Sequence, residues 1–395
     1  MPVTSQPSMP APAGGRLAGI DALRAVAMLL GVLFHSLIAY RVHPLPTWPY
    51  DDQVHHWAFD YLYLFIHSFR MSLFYLIAGY FCRLLIYRTG EKAFISHRVK
   101  RILIPFAASL LVVLPFTIFP FLVYRYSLGN AGDWNSTLHL AWKQLLHWNG
   151  MAHLWFLYYL LMYYVAAIVL LRIYRAGWLK PLFRLASRLC ASPGRIVAIS
   201  LPLIWILLCA SRELYLHVDT GILPGPVFLL FYFLFFGMGW MLHRLPSPFA
   251  WFVRTMPLTL PAGMLLSGIL FYIEFNGYYQ PSGPMFWVVK ALAAVQSITL
   301  VSGVIGFFLK FFASAGPRWR YISDASFWMY LLHLGLIAGL QVWFIYLGIS
   351  PFLRFPLVLG ITFFVTLVSY RYMVRYTIIG VYLHGKRERN IVAGK

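Results

Sequence analysis

Arg24 and His35 are the first residues in this chain whose types and spacing imply chemistry. They stand eleven positions apart in the stretch 21–40, which is apolar almost throughout and long enough to cross a bilayer as a helix. At about 3.6 residues per turn, eleven positions make nearly three whole turns, so both side chains share one helix face, roughly 16 Å apart along the axis. A cation and a titratable ring at membrane depth are costly, and such groups normally face a protein interior or a wet cavity. A purely structural reading competes, in which Arg24 snorkels to the near interface and His35 packs against a neighbouring helix. Against it stands the recurrence of polar groups at similar depth further along the chain.

The second apolar run contains His67-Ser68-Phe69-Arg70, which sets a histidine and an arginine on adjacent turns of one helix face. Arg70 lies near the middle of that run and cannot easily snorkel, so it requires an anion or a carbonyl as partner. Bonding to backbone at a helix break is the structural alternative to facing a substrate. Arg98 and Arg101, at the start of the third run, are one turn apart and able to grip phosphate oxygens by forked hydrogen bonds. Basic clusters are nevertheless ordinary at a cytoplasmic membrane edge. His153 and Trp155 open the fourth run as a histidine within an interfacial aromatic belt. Ser326, Tyr330 and His333 are spaced four and three apart and make one polar stripe, of the kind that can also hold helices together. Several cations with hardly any carboxylate at depth point to an anionic ligand and away from a cation or proton pump.

The elements that must position these residues are membrane helices. Of 395 residues, 61% are hydrophobic and only 11% charged, far below the roughly one quarter of a soluble domain. Hydropathy predicts an all-α polytopic membrane protein with about ten spans: 22–40, 58–87, 102–124, 152–171, 196–211, 222–243, 256–274, 284–309, 325–347 and 352–370. The second is long enough to tilt, kink or break, with Gly79 as the weak point. If the N-terminus is cytoplasmic, the connections place 24 of the 32 Lys and Arg on the inner side. Only Arg41, Arg125, Lys143, Arg212 and Arg354 fall outside, with Arg24, Arg70 and Lys290 within spans. That bias predicts both termini in the cytoplasm. It also reads the net charge of +21 as a topology signal with attraction to anionic membrane lipids, not as a nucleic-acid footprint. Outer-loop aromatics such as Trp48-Pro49-Tyr50 fit a bilayer edge and, as a weaker reading, a platform for sugars. Residues 1–20 read as a disordered tail without the pattern of a signal peptide, and 379–395 as a basic cytoplasmic tail. Cys82, Cys190 and Cys209 offer no disulfide framework, and the scattered histidines no metal-ligand spacing. No segment is long enough to fold as a soluble domain, and the oligomeric state is left open, a homo-oligomer included.

With these residues in place, the chain resembles the membrane-bound type 3 acyltransferase family from about residue 20 to about 375. The carrying motifs are Asp21-x-x-Arg24 followed by His35, the Arg98-x-x-Arg101 pair, His153-Leu154-Trp155, and Ser326-x-x-x-Tyr330-x-x-His333. Most family members have a Gly-Val-Asp-x-Phe-Phe pattern ending in Ser-Gly-Phe. Here Arg70-Met71-Ser72 replaces the first part and Ala78 the serine, a departure similar to the branch that succinylates osmoregulated periplasmic glucans.

The resemblance implies one transmembrane acyltransferase domain, 21–378, in a bacterial inner membrane. It further implies succinyl transfer from a cytoplasmic acyl-coenzyme A (succinyl-CoA, or acetyl-CoA) to hydroxyls of a periplasmic glucan. No bound cofactor is expected. Coenzyme phosphates need cations, which assigns Arg98 and Arg101 to the donor. His35 is expected to be the base, since a neutral imidazole can take a proton near pH 7, with an acyl-histidine relay as its competing use. Arg24 is expected on the thioester side, Arg70 on the distal carboxylate, and His153 and Trp155 on the sugar. His67, Ser326, Tyr330 and His333 line or support the cavity. Three alternatives are O-acetylation of another envelope or exported polysaccharide, an exporter of glycan or anionic lipid, and a purely structural or sensor protein. The lack of inverted-repeat symmetry disfavours export, and the aligned polar faces disfavour the last.

Overall fold

A backbone inside a bilayer must satisfy its own N–H and C=O groups, and apolar runs of twenty residues do so as helices. The computed structural model describes residues 18–51, 55–129, 133–314, 316–347 and 351–387, and among them every regular element is helical. In chain order these are α1 (Ala18–Leu37), α2 (Trp57–Thr89), α3 (Glu91–Arg98), α4 (Ile104–Leu111), α5 (Val113–Ser127), α6 (Trp134–Leu145), α7 (Trp155–Arg175) and α8 (Lys180–Leu189). They continue as α9 (Pro193–Cys209), α10 (Pro226–Leu242), α11 (Pro248–Phe275), α12 (Pro284–Phe311), α13 (Pro317–Tyr346), α14 (Pro351–Ser369) and the short α15 (Ile378–Leu383). Helix α1 begins within the expected N-terminal tail, whose residues 1–17 lie outside the described ones. Similarly, α15 falls at the start of the expected basic tail, of which 388–395 lie outside.

Among the described residues, eight helical segments are each long and apolar enough to span a membrane, where hydropathy predicts about ten, and α8 with α9 make a ninth if that bent pair counts as one span. The other two apolar stretches are occupied by α9 and α10, each of 17 residues, about 25 Å long and so slightly short of a 30 Å hydrocarbon core. Helices α8 and α9 meet at an angle of 109° across a three-residue break. The third span is composite. A π-helical turn, Val99–Leu103, joins α3 to α4, and Val112 separates α4 from α5.

Gly79 does not break α2, which runs unbroken from Trp57 to Thr89. Its missing side chain is instead a packing device: a Cβ there would sit 1.9 Å from the Phe236 carbonyl oxygen, and one at Gly239 would sit 1.8 Å from that of Leu76. The two glycines let α2 and α10 cross backbone to backbone, the small-residue contact that membrane helices use in place of a hydrophobic driving force. Helix α1 packs against α2, α12, α13 and α14, and it carries His35 at the centre of this ring of neighbours.

Candidate active site

Five elements meet around a small cavity. Ala27, Met28, Gly31 and His35 come from α1, and Arg70, Met71 and Phe74 from α2. His153 comes from the 3-10 turn before α7, Trp155 and Phe156 from α7 itself, and Tyr330 and His333 from α13. Six of the residues expected at a site from the sequence, His35, Arg70, His153, Trp155, Tyr330 and His333, thus line one space.

Three imidazoles converge there. The ring centroids of His35 and His333 are 5.2 Å apart, and those of His153 and His333 are 5.3 Å apart. A carbonyl oxygen only accepts hydrogen bonds, which assigns two of the tautomers. His333 Nδ1 lies 2.7 Å from the Tyr330 carbonyl and carries its proton, leaving Nε2 as a lone pair that is buried without a partner. His153 Nε2 donates to the Leu331 carbonyl at 3.1 Å, leaving Nδ1 bare in the same way. His35 Nδ1 is also buried without a partner. Tyr330 closes the frame by donating its hydroxyl to the His153 carbonyl at 2.7 Å. Ala152, just before His153, is held at φ 43°, a left-handed conformation costly for a residue with a Cβ.

Arg70 supplies the charge. It is 9% exposed, its guanidinium lies over the Phe34 ring at 4.6 Å, and its Nη1 is buried with no hydrogen-bond partner. Gly31 makes room for it, since a Cβ at that position would sit 3.1 Å from Nη1. Among the described residues, no Asp or Glu lines the cavity. A desolvated cation beside bare imidazole lone pairs can hold an anion and accept protons from hydroxyls, which are the two demands of charged acyl transfer.

The remaining expected residues lie elsewhere. Arg24 is exposed and does not line the cavity. His67, also outside it, stacks on Tyr63 at 5.7 Å and on Phe34 at 6.0 Å, one ring away from Arg70. Ser326 uses its hydroxyl on the Ser323 carbonyl of its own helix. Arg98 and Arg101, expected to act as a fork, lean on different neighbours. Arg98 lies over Phe94 and Tyr164 at 5.1 and 4.9 Å, whereas Arg101 abuts the backbone at Gly385. The intervening π turn is wider than an α turn, so three positions no longer mean one face. Lys290, another cation within a span, is fully buried and donates to the Glu213 and Leu214 carbonyls.

Two residues with a bearing on the site were not recognised from the sequence as part of it. Trp48, read as an interfacial aromatic, folds back from the connection between α1 and α2 and stacks flat on His35, with centroids 5.6 Å apart and planes 7° apart. Gln341, a buried polar residue two turns beyond His333, accepts from the Trp48 indole N–H at 2.9 Å and donates to the Ser36 carbonyl at 2.9 Å. Its amide in an apolar helix was the available signal. Two acids near this connection are also buried in ion pairs: Asp51 with Arg354 at 2.5 Å and Asp60 with Arg41 at 3.1 Å, all four largely buried.

A helical membrane protein with a buried histidine–arginine cavity is the class this architecture defines, and comparison with protein families agrees. The model of the acyltransferase domain matches residues 17–371, nearly the whole chain, and the chain belongs to this family. Among individual proteins, it is similar to glucans biosynthesis protein C of Salmonella paratyphi B, Salmonella dublin and Salmonella enteritidis. Each is 27% identical over 342 residues, covering 82% of this chain and 83% of the relative. No solved structure gives a significant match.

Proposed function

We propose that this protein transfers succinyl groups from a coenzyme A thioester on the cytoplasmic side to hydroxyls of a periplasmic glucan, within a bacterial inner membrane. The observation that carries the reading is Arg70: a buried guanidinium with an unpartnered nitrogen, in the same cavity as His35. A succinyl donor has a distal carboxylate to fill that role and an acetyl donor does not. The name of the Salmonella relatives supports a glucan as acceptor.

In this reaction His35 takes the proton of the sugar hydroxyl as its oxygen attacks the thioester carbonyl carbon. The carbon–sulfur bond breaks, the coenzyme leaves as a thiolate that takes up a proton, and the glucan keeps the succinyl half-ester. Arg70 holds the far carboxylate, fixing the carbonyl relative to His35. Arg98, Arg101 and the exposed Arg24 attract the coenzyme's phosphates at the inner face. His153 and Trp155 orient the acceptor. Ten crossings with both termini in the cytoplasm fit this route: α9 and α10 need only a thin or locally compressed bilayer to cross. The excess of basic connections on one side favours the same orientation.

The test is the mass and electrophoretic charge of periplasmic glucans from cells carrying the wild type, a deletion or His35→Ala. The expected outcome is loss of anionic, succinyl-sized additions in both mutants, with His35→Ala reducing transfer by about 10² to 10⁴-fold. Loss of acetyl-sized additions instead would overturn the succinyl assignment, and unchanged glucans would overturn the acceptor.

A further inference from the structure

His35 lacks what a general base ordinarily has. Among the described residues no carboxylate lines its cavity; its neighbours are His333 on α13, Arg70 on α2 and His153 before α7, none of them anionic. When His35 accepts a proton it becomes a cation among cationic and neutral groups. One neighbouring group can compensate. The Trp48 indole lies parallel to the imidazole, 5.6 Å away, and an indole face is the strongest side-chain partner for a cation without a charge of its own.

The placement of Trp48 is held from three sides. Its N–H donates to Gln341 on α13, and Gln341 in turn donates to the Ser36 carbonyl, next to His35 on α1. Phe121 of α5 meets it edge to face at 5.0 Å. The backbone N–H of Trp48 also closes a turn onto the Leu45 carbonyl at 3.0 Å. An aromatic serving only as a bilayer anchor would have no need of a buried glutamine bridging it to the helix of the catalytic histidine.

We propose that Trp48 is a positioning residue for His35. Its face fixes the plane of the imidazole and stabilises the imidazolium formed during transfer, and Gln341 latches it in place. This rests on the reading of His35 as the base.

The experiment measures steady-state kinetics of the full chain in detergent or nanodiscs, with succinyl-coenzyme A as donor and unsubstituted periplasmic glucan as acceptor. Trp48→Leu, which removes the π face, is expected to lower kcat roughly tenfold while leaving KM for both substrates unchanged. Trp48→Phe, which restores a smaller face, is expected to recover most of kcat. Gln341→Met, which releases the latch, should lower kcat by a few-fold with the same constancy of KM. A rise in KM for the glucan with kcat intact would overturn the proposal, because Trp48 would then be a sugar platform. Equal kcat losses in Trp48→Leu and Trp48→Phe would overturn it as well. His35→Ala separates the two levels: an active His35→Ala enzyme refutes the base assignment itself. An inactive one, with Trp48→Leu at wild-type kcat, refutes only the role of Trp48.

Discussion

Arg354 and Arg70 are both buried arginines of the same helical bundle, and their surroundings are opposite. Arg354, near the start of α14, meets the buried carboxylate of Asp51 at 2.5 Å. Arg70, within α2, has a phenyl ring beneath it and a guanidinium nitrogen with no partner. Lys290 sides with Arg354, since two backbone carbonyls accept its hydrogen bonds. A fold that needs a buried cation for cohesion satisfies it internally, because an uncompensated one costs several kcal/mol. Arg70 departs from that rule at the cavity, as the proposed function expects of a charge kept for a ligand and not for the scaffold.

The sharpest way to break the comparison is to remove each charge in turn. Arg354→Met removes the cation paired with the buried Asp51 carboxylate, and a loss of about 3–5 kcal/mol is expected, read as a fall in thermal unfolding temperature in detergent. Arg70→Met removes an unsatisfied charge, so stability should hold or rise slightly. Equal destabilisation by the two would erase the distinction. A perturbation of the scaffold alone comes next. Gly239→Ala drives a methyl into the Leu76 carbonyl and should cost about 1–3 kcal/mol by separating α2 from α10, with donor choice unaltered. The smallest effect belongs to Gly31→Ala. Its methyl would sit 3.1 Å from Arg70 Nη1, so a several-fold rise in KM for succinyl-coenzyme A is expected without a change in unfolding temperature.

Much of this was legible in the sequence, for a physical reason. Polar groups stand out in apolar runs, so His35, Arg70, His153, Tyr330 and His333 could be selected before their meeting place was known, and the resemblance added Trp155. Nine of the ten hydropathic stretches also coincide with a single helix, and the third with the composite of α4 and α5. What stayed hidden depends on paths and registers that periodicity does not encode. The return of Trp48 over His35 is the course of a loop. The divergence of Arg98 and Arg101 comes from one wide turn at Val99–Leu103. Gly79 illustrates the ambiguity of a small residue, which weakens a lone helix but tightens a pair; only the position of Gly239 opposite it decides between them.

Under the proposed function Arg70 reads the charge of the donor, and competition between donors is the direct test. Wild-type and Arg70→Met proteins would be given equal succinyl- and acetyl-coenzyme A with unsubstituted glucan, and the products separated by mass. The account expects the wild type to favour succinyl and Arg70→Met to lose that preference while retaining acetyl transfer. An unchanged succinyl-to-acetyl ratio in Arg70→Met would contradict it.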